Sequence, residues 1–205
     1  MPSDLEVFGP LVIDTQLPEA VEATLKLWMQ TYLQRLERAI SKPVNWLPPP
    51  QSYTITSDWD HYPEEALPAV LIMCPGVTKP KMDGRREYRG VYPVRVGIFV
   101  EARDRVSTDA LAKYYGTALR ELLLQKGSLG DFATATAWAG ADYGTRVSDR
   151  SQRTVGTAEI KLEVEVRAIV RRLSGPVEPI TTGLAPPSLP EVTRETPVKL
   201  EPKPL

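Results

Sequence analysis

Two stretches of this chain alternate apolar and polar residues over unusual lengths. In "GRREYRGVYPVRVGIFVEARD", Gly84 to Asp104, the residues Tyr92, Val94, Val96, Ile98 and Val100 fall at every second position. In "TAEIKLEVEVRAIV", 157–170, Ala158, Ile160, Leu162, Val164, Val166 and Ala168 do the same. Glu159, Lys161, Glu163, Glu165 and Arg167 lie between them. Strand side chains point to opposite faces in turn, so each stretch predicts a long strand with one buried face. Interleaved charges on the other face predict an antiparallel sheet with one wet side.

Two helices supply the cover. Over 18–40, Val21, Leu25, Trp28, Tyr32, Leu36 and Ile40 recur at spacings of three and four, which places them on one helix face. Pro18 suits the first turn, and Pro43 stops the helix. Over 107–127, Leu111, Tyr114, Tyr115, Ala118, Leu122 and Leu123 form the apolar side. Ser107 reads as the N-cap, Asp109 as a first-turn acid and Gly127 as the stop. Gly116, in mid-helix, costs about 1 kcal/mol relative to Ala and is expected to permit close packing on the sheet.

Shorter segments complete the sheet. "SYTITSDW", 52–59, is strand-like, with Tyr53, Ile55 and Ser57 on one face. "LPAVLIMCPG", 67–76, predicts a buried strand closed by Pro-Gly, and "FATATAWAGADYG", 132–144, a strand of small residues. "KPVNWLPPP", 42–50, is a connector whose prolines favour polyproline II. The predicted class is α+β: a mainly antiparallel sheet with two helices packed on one face, spanning about 17–172.

Both ends differ from this core. Residues 1–16 read as an extended arm, since "VFGPLVI" combines Gly-Pro with β-branched residues. Such an arm suits a sheet edge or a neighbour, and equally a frayed terminus. Residues 173–205 are Pro-rich, with eight prolines from 174 onward and no aromatic residue. That segment cannot bury enough surface to offset its ordering entropy, so an extended or disordered tail is expected.

Composition excludes little chemistry but weights it. The 25 basic and 26 acidic residues give a net charge of −1, without a global pull toward nucleic acid or anionic lipid. Cys74 is the single cysteine, and it lies in an apolar run, which predicts a buried structural thiol and no internal disulfide. No apolar run approaches the length of a membrane span, and Asp4 and Glu6 stand where a signal peptide carries basic residues. A soluble protein that stays where it is made is expected. His61 is the single histidine and sits beside Asp58 and Asp60. Two acids and one histidine in four residues can hold a metal, yet a solvated polar turn is the simpler reading. Glu159, Glu163 and Glu165 imitate a carboxylate site but read as an ordinary wet sheet face, so no catalytic residue, metal or cofactor is assigned.

The charged feature that stands out is the loop at 77–89. Lys79, Lys81, Arg85, Arg86 and Arg89 fall there, opposed by Asp83 and Glu87. It has three readings: a solvated loop, a contact to an acidic protein, or a contact to phosphates. "SDRSQR", 148–153, with Asp149, Arg150 and Arg153, is a second candidate contact loop.

The order of elements carries a resemblance. A leading helix, "PAVLIMCPG", a charged loop, "REYRGVYPVRVGIFVEARDR", "ALRELLLQKGSLGDF", "WAGADYG" and "TAEIKLEVEVRAIV" together resemble a tail terminator protein of long-tailed bacteriophages. The resemblance is one of layout, covers about 17–172 and leaves the Pro-rich tail outside the family pattern. It implies a non-enzymatic virion protein of the tail neck, assembled in the host bacterial cytoplasm. Its copies would form a ring, usually of six, that caps the tail tube and stops its growth. The implied partners are further copies of itself, the tail-tube protein, a head-side connector or stopper, and DNA passing through the lumen, with no membrane. Another neck protein, such as a head-completion or stopper protein, and a tail-tube-like protein share this logic. A small enzyme using His61 and a nucleic-acid-binding module are the rival classes.

Overall fold

The computed structural model describes residues 15–59, 62–83, 87–147 and 153–171. The arm at 1–14, His61 with Asp60, Arg85 and Arg86, Asp149 and Arg150, and the tail from 172 lie outside the described residues. In chain order the elements are α1 (Gln16–Ala39), β1 (Ser52–Ile55), a 3-10 turn (Glu64–Ala66), β2 (Ala69–Met73), β3 (Lys81–Asp83), β4 (Glu87–Glu101), α2 (Arg105–Gln125), β5 (Ala135–Val147) and β6 (Thr154–Arg171). The strands form a six-stranded sheet in the order β1-β2-β4-β6-β5, with β3 against the start of β4. β1 and β2 are parallel, and the other pairs are antiparallel. The protein is α+β, as its periodicities predict.

The two alternating stretches are neighbours. Val94 lies opposite Leu162, Val96 opposite Ile160 and Ile98 opposite Ala158. All six are at most 2% exposed and face the helices. Each of the valine, leucine and isoleucine side chains among them contributes roughly 1.5–3 kcal/mol by burial. Pro93 sits within β4 without breaking it. The Thr78 N–H donates to the Val91 carbonyl, so Val91, and Pro93 two residues on, turn their backbone edge away from β6. On that side β2 pairs only as far as Arg95 and β3 only from Arg89 back. The missing proline donor therefore falls in a gap of the ladder.

Several boundaries differ from expectation. β1 stops at Ile55 and β2 occupies only 69–73, because Pro68 and Pro75 bracket the apolar run. Cys74 is therefore just past the strand and half-buried rather than fully buried. The middle of the basic segment is β3, with Lys81 opposite Arg89, and not simply loop.

α1 buries Val21, Leu25 and Tyr32 as expected, but also Met29 and Leu33, while Trp28 and Leu36 are half-buried. Its stripe is broader than the predicted one because α1 packs on α2 as well as on β1 and β2. In α2, Ala112 and Leu119 join the core. The N-cap is Asp104, not Ser107. Its carboxylate accepts the Ser107 amide at 2.9 Å and the Ser107 hydroxyl at 2.7 Å. The helix starts directly after β4, so the acid at the junction, three residues before Ser107, takes the cap. Gly116 has the predicted role: a Cβ there would lie 2.7 Å from Tyr143 Cε1 and 2.8 Å from the Ala158 Cβ.

Glu37 is a buried acid that the apolar pattern did not foretell, at 1% exposure. It accepts the backbone amides of Asn45 at 3.0 Å and Leu47 at 2.6 Å. The connector is thereby folded back on α1 as a turn before its prolines. Tyr115 donates to the Pro48 carbonyl at 2.5 Å. Burial, with Glu37 nearby, pushes the Tyr115 hydroxyl well above its ordinary value.

Glu37→Ala strips both amides of their acceptor and should cost about 1–3 kcal/mol in urea unfolding, chiefly because the buried Leu47 amide loses its partner while the Asn45 amide is nearer the surface. The Ser107 amide and hydroxyl hold the Asp104 carboxyl below its ordinary value. A lowered native value means that the cap stabilises above the unfolded value near pH ~4 and stops doing so as pH falls through the native one. Asp104→Ala should therefore be less stable than the parent at neutral pH, and the gap should close in acid; thermal melts across pH measure it.

Candidate assembly surface

The sheet face away from the helices has two parts. Near β2, residues 56–59 and 62–68 fold across it. Tyr62, Ala69, Leu71, Phe99 and Val155 form a small second core, with Trp59 and Leu67 packed against it. Trp59 lies flat over Gly97, where a Cβ would come within 2.5 Å of its ring. Tyr62 stacks on Phe99 at 4.5 Å. Arg146, from β5, lies over Tyr62 at 4.6 Å and Phe99 at 5.2 Å, and donates to the Trp59 carbonyl at 3.3 Å. Arg95 covers Trp59 at 5.1 Å. Each such cation–aromatic pair contributes about 0.5–2 kcal/mol.

The rest of this face is a ladder of opposite charges. Lys79 meets Glu163 at 2.7 Å, Arg89 meets Glu165 at 3.2 Å and Arg95 meets Glu159 at 2.5 Å, while Lys161 pairs with Asp142. The Glu159 hydrogen bond raises the Arg95 value, and the Asp142 hydrogen bond raises that of Lys161. The outward acids of β6 and two cations of the basic segment thus neutralise one another. Exposed pairs of this kind contribute little stability, about 0–1 kcal/mol each. What they set is a fixed sign at each position. Lys79, Lys81 and Arg89 line a groove of about 400 Å³ with Glu165, and Lys81 is exposed. From the second candidate loop, Arg153 is exposed and reaches Glu101 at 3.3 Å. It lines a separate cleft with Glu64 and Glu65, so the two candidate loops do not form one site.

The surface that residue types alone did not single out is the outer edge of β5. β5 runs 13 residues and is half-exposed or exposed throughout. Among the described residues no strand pairs with its outer side. Trp138 is 51% exposed, Tyr143 39% and Val147 57%. Arg120 of α2 lies over the Trp138 ring at 5.2 Å. The register shifts between Trp138 and Gly140, marking a bulge. Neither lysine nor proline interrupts this strand. Exposed edges are commonly blunted by such residues or by a bulge; here the bulge between Trp138 and Gly140 interrupts the edge, and the run from Ala141 to Val147 beyond it pairs with β6 in regular register. A sequence signal did exist for the covered face: a glycine, Gly97, flanked by Val96 and Ile98 inside a strand marks a close approach.

No protein-family model matches this chain, and no curated protein matches it. Among solved structures it is similar to a chain from the virion of a native gene transfer agent particle. The TM-score is 0.37 and the identity 14%, over 67% of this chain and 93% of that chain. A likeness of that depth decides neither fold nor role. Among the described residues, no helix is long and apolar enough to cross a membrane.

Arg146→Ala should remove the clamp on Trp59 and Tyr62. The expected result is a loss of about 1–2 kcal/mol, with faster protease cleavage beside those two residues. Lys79→Ala, which breaks only an exposed pair, should change stability by less than about 1 kcal/mol. Urea titration and limited proteolysis of both variants test the contrast.

Proposed function

We propose that this chain is a structural virion protein acting as a tail-terminator-like subunit: it self-associates into a ring, caps the tail tube and offers a surface to the head-side connector. The observation that carries this reading is the open 13-residue edge of β5 with its exposed Trp138, Tyr143 and Val147. The opposite edge of the sheet is β1, only four residues long and preceded by three prolines. Two unlike edges favour a head-to-tail contact, and such contacts close into rings when the rotation fits. The layout resemblance to tail terminators supports the same reading.

The sheet's charge ladder suits such a part. Interfaces between stacked rings form and discriminate partners through complementary charge. The groove at Lys79, Lys81 and Arg89 is the proposed contact for an acidic neighbour, either the tube or the connector. Arg85 and Arg86 belong to the same segment. In this reading the protein performs no bond chemistry, binds no cofactor and sits at the tail neck, with DNA passing through the ring.

Particles made without this protein test the proposal by electron microscopy. Overlong, unattached tails beside DNA-filled heads are the expected result, because tube growth has lost its stop. Normal-length tails that fail to join would assign the chain to a connector role instead. Intact infectious particles would end the assembly reading.

A further inference from the structure

We infer that the outer edge of β5 receives the N-terminal arm of a second copy of this chain, added as an antiparallel strand with Leu5, Val7, Leu11 and Ile13 beside Trp138 and Tyr143. The inference deepens the ring reading, because it names the residues that link one copy to the next.

The direction of the β5 backbone follows from the ladder. Val91 turns its carbonyl to Thr78 and lies opposite Glu165, so Glu165 turns away from β4 and toward β5. Every second β6 residue does the same. Glu165 and Glu163 face Ala135 and Ala137, and beyond the bulge Lys161, Glu159 and Thr157 face Gly140, Asp142 and Gly144. The backbone groups left pointing outward are those of Thr136, Trp138, Ala141, Tyr143, Thr145 and Val147. Trp138 and Tyr143 carry their side chains on the helix face, beside Arg120 and Gly116. An arriving strand therefore meets outward amides and a half-exposed aromatic stripe together.

The arm sequence matches that edge on two independent counts. Its odd positions from 5 to 13 are Leu5, Val7, Gly9, Leu11 and Ile13, which are apolar or lack a side chain. Its prolines, Pro2 and Pro10, are both even. Each odd residue has an N–H to donate, and the proline nitrogens fall on the opposite, outer side of the added strand. In an antiparallel pair, residues that turn their backbone toward each other carry side chains on the same face. The parity that can pair with β5 is thus also the parity that covers Trp138 and Tyr143. The even positions include Asp4, Glu6 and Asp14, which would face the charged side of the sheet, with Phe8 and Val12 the apolar exceptions. Strand addition of this type takes affinity from main-chain hydrogen bonds and specificity from alternate side chains.

The donor is a neighbour because of where the arm starts. α1 begins at Gln16 and packs over β1, β2 and α2, whereas β5 lies beyond β6 under α2. Ile13 is three residues before Gln16, a reach of about 10 Å, whereas the outer side of β5 is four strand spacings from β2, about 19 Å. A copy that gives its arm on one side and accepts another on the opposite side makes the unlike, head-to-tail contact that a ring requires.

Site-specific photo-cross-linking of the full chain tests this. Val7→p-benzoylphenylalanine is prepared in a mixture of isotopically light and heavy chains, and products are mapped by mass spectrometry. Cross-links from position 7 to residues 136–147, mainly between light and heavy chains, are expected. Thr145→Pro deletes one outward N–H of β5, and Leu11→Pro deletes one N–H of the arm while leaving the sequence of α1 and the sheet unchanged. Each should lower the yield at least fivefold. Cross-links to other elements, products within single chains only, no product at any concentration, or undiminished yield in Leu11→Pro would overturn the inference. Electron microscopy of the same samples separates it from the ring reading. Rings without arm-to-β5 cross-links keep the reading and discard the inference, whereas dimers or filaments with those cross-links do the reverse.

Discussion

The antiparallel pairing of β4 with β6 is the interaction on which the remaining structure depends. It aligns Tyr92, Val94, Val96 and Ile98 with Val164, Leu162, Ile160 and Ala158 on one face, and every other element attaches to that surface. β2 and then β1 extend it on one side, and β5 extends it on the other. Both helices lie on the face that these residues share. A one-residue slip would turn each apolar side chain to the charged side, so the register is held by the whole core at once.

The second face shows how one side of a sheet can be part covered core and part charged surface. Where strands β2 and β4 meet, flanking apolar residues are covered by Trp59 and Tyr62, and Arg146 and Arg95 close over those rings. Farther along, the cover ends and cations and acids alternate across β4, β6 and β5. The change follows residue type. Phe99 and Leu71 cannot stay wet without cost, whereas Glu163 and Arg89 cannot be buried unpaired.

Much of this was legible in the residues. The long alternations of β4 and β6, the α2 core from Tyr115 to Leu123, the close approach at Gly116 and the α+β class all follow from periodicity. What was not legible involves groups brought together from far along the chain. Glu37 is an ordinary helical glutamate until the connector returns and places the Asn45 and Leu47 amides beside it. Asp104 takes the cap that Ser107 was expected to provide because β4 runs straight into α2. The basic segment looked like a free cationic loop, yet Lys79 and Arg89 meet Glu163 and Glu165, more than seventy residues later in the sequence. The open edge was the least visible feature, since nothing in "ATAWAGADYGTRV" reveals which strand lies at the end of the sheet.

By itself, then, the sequence determined which segments are strands and helices and which face of each is apolar, because those properties depend on neighbours two to four residues away. Only the tertiary structure decided strand order, the self-neutralisation of the charged face and the exposure of β5. Those depend on which distant segments become adjacent, and local periodicity is the same whether a strand ends up in the middle of a sheet or at its rim.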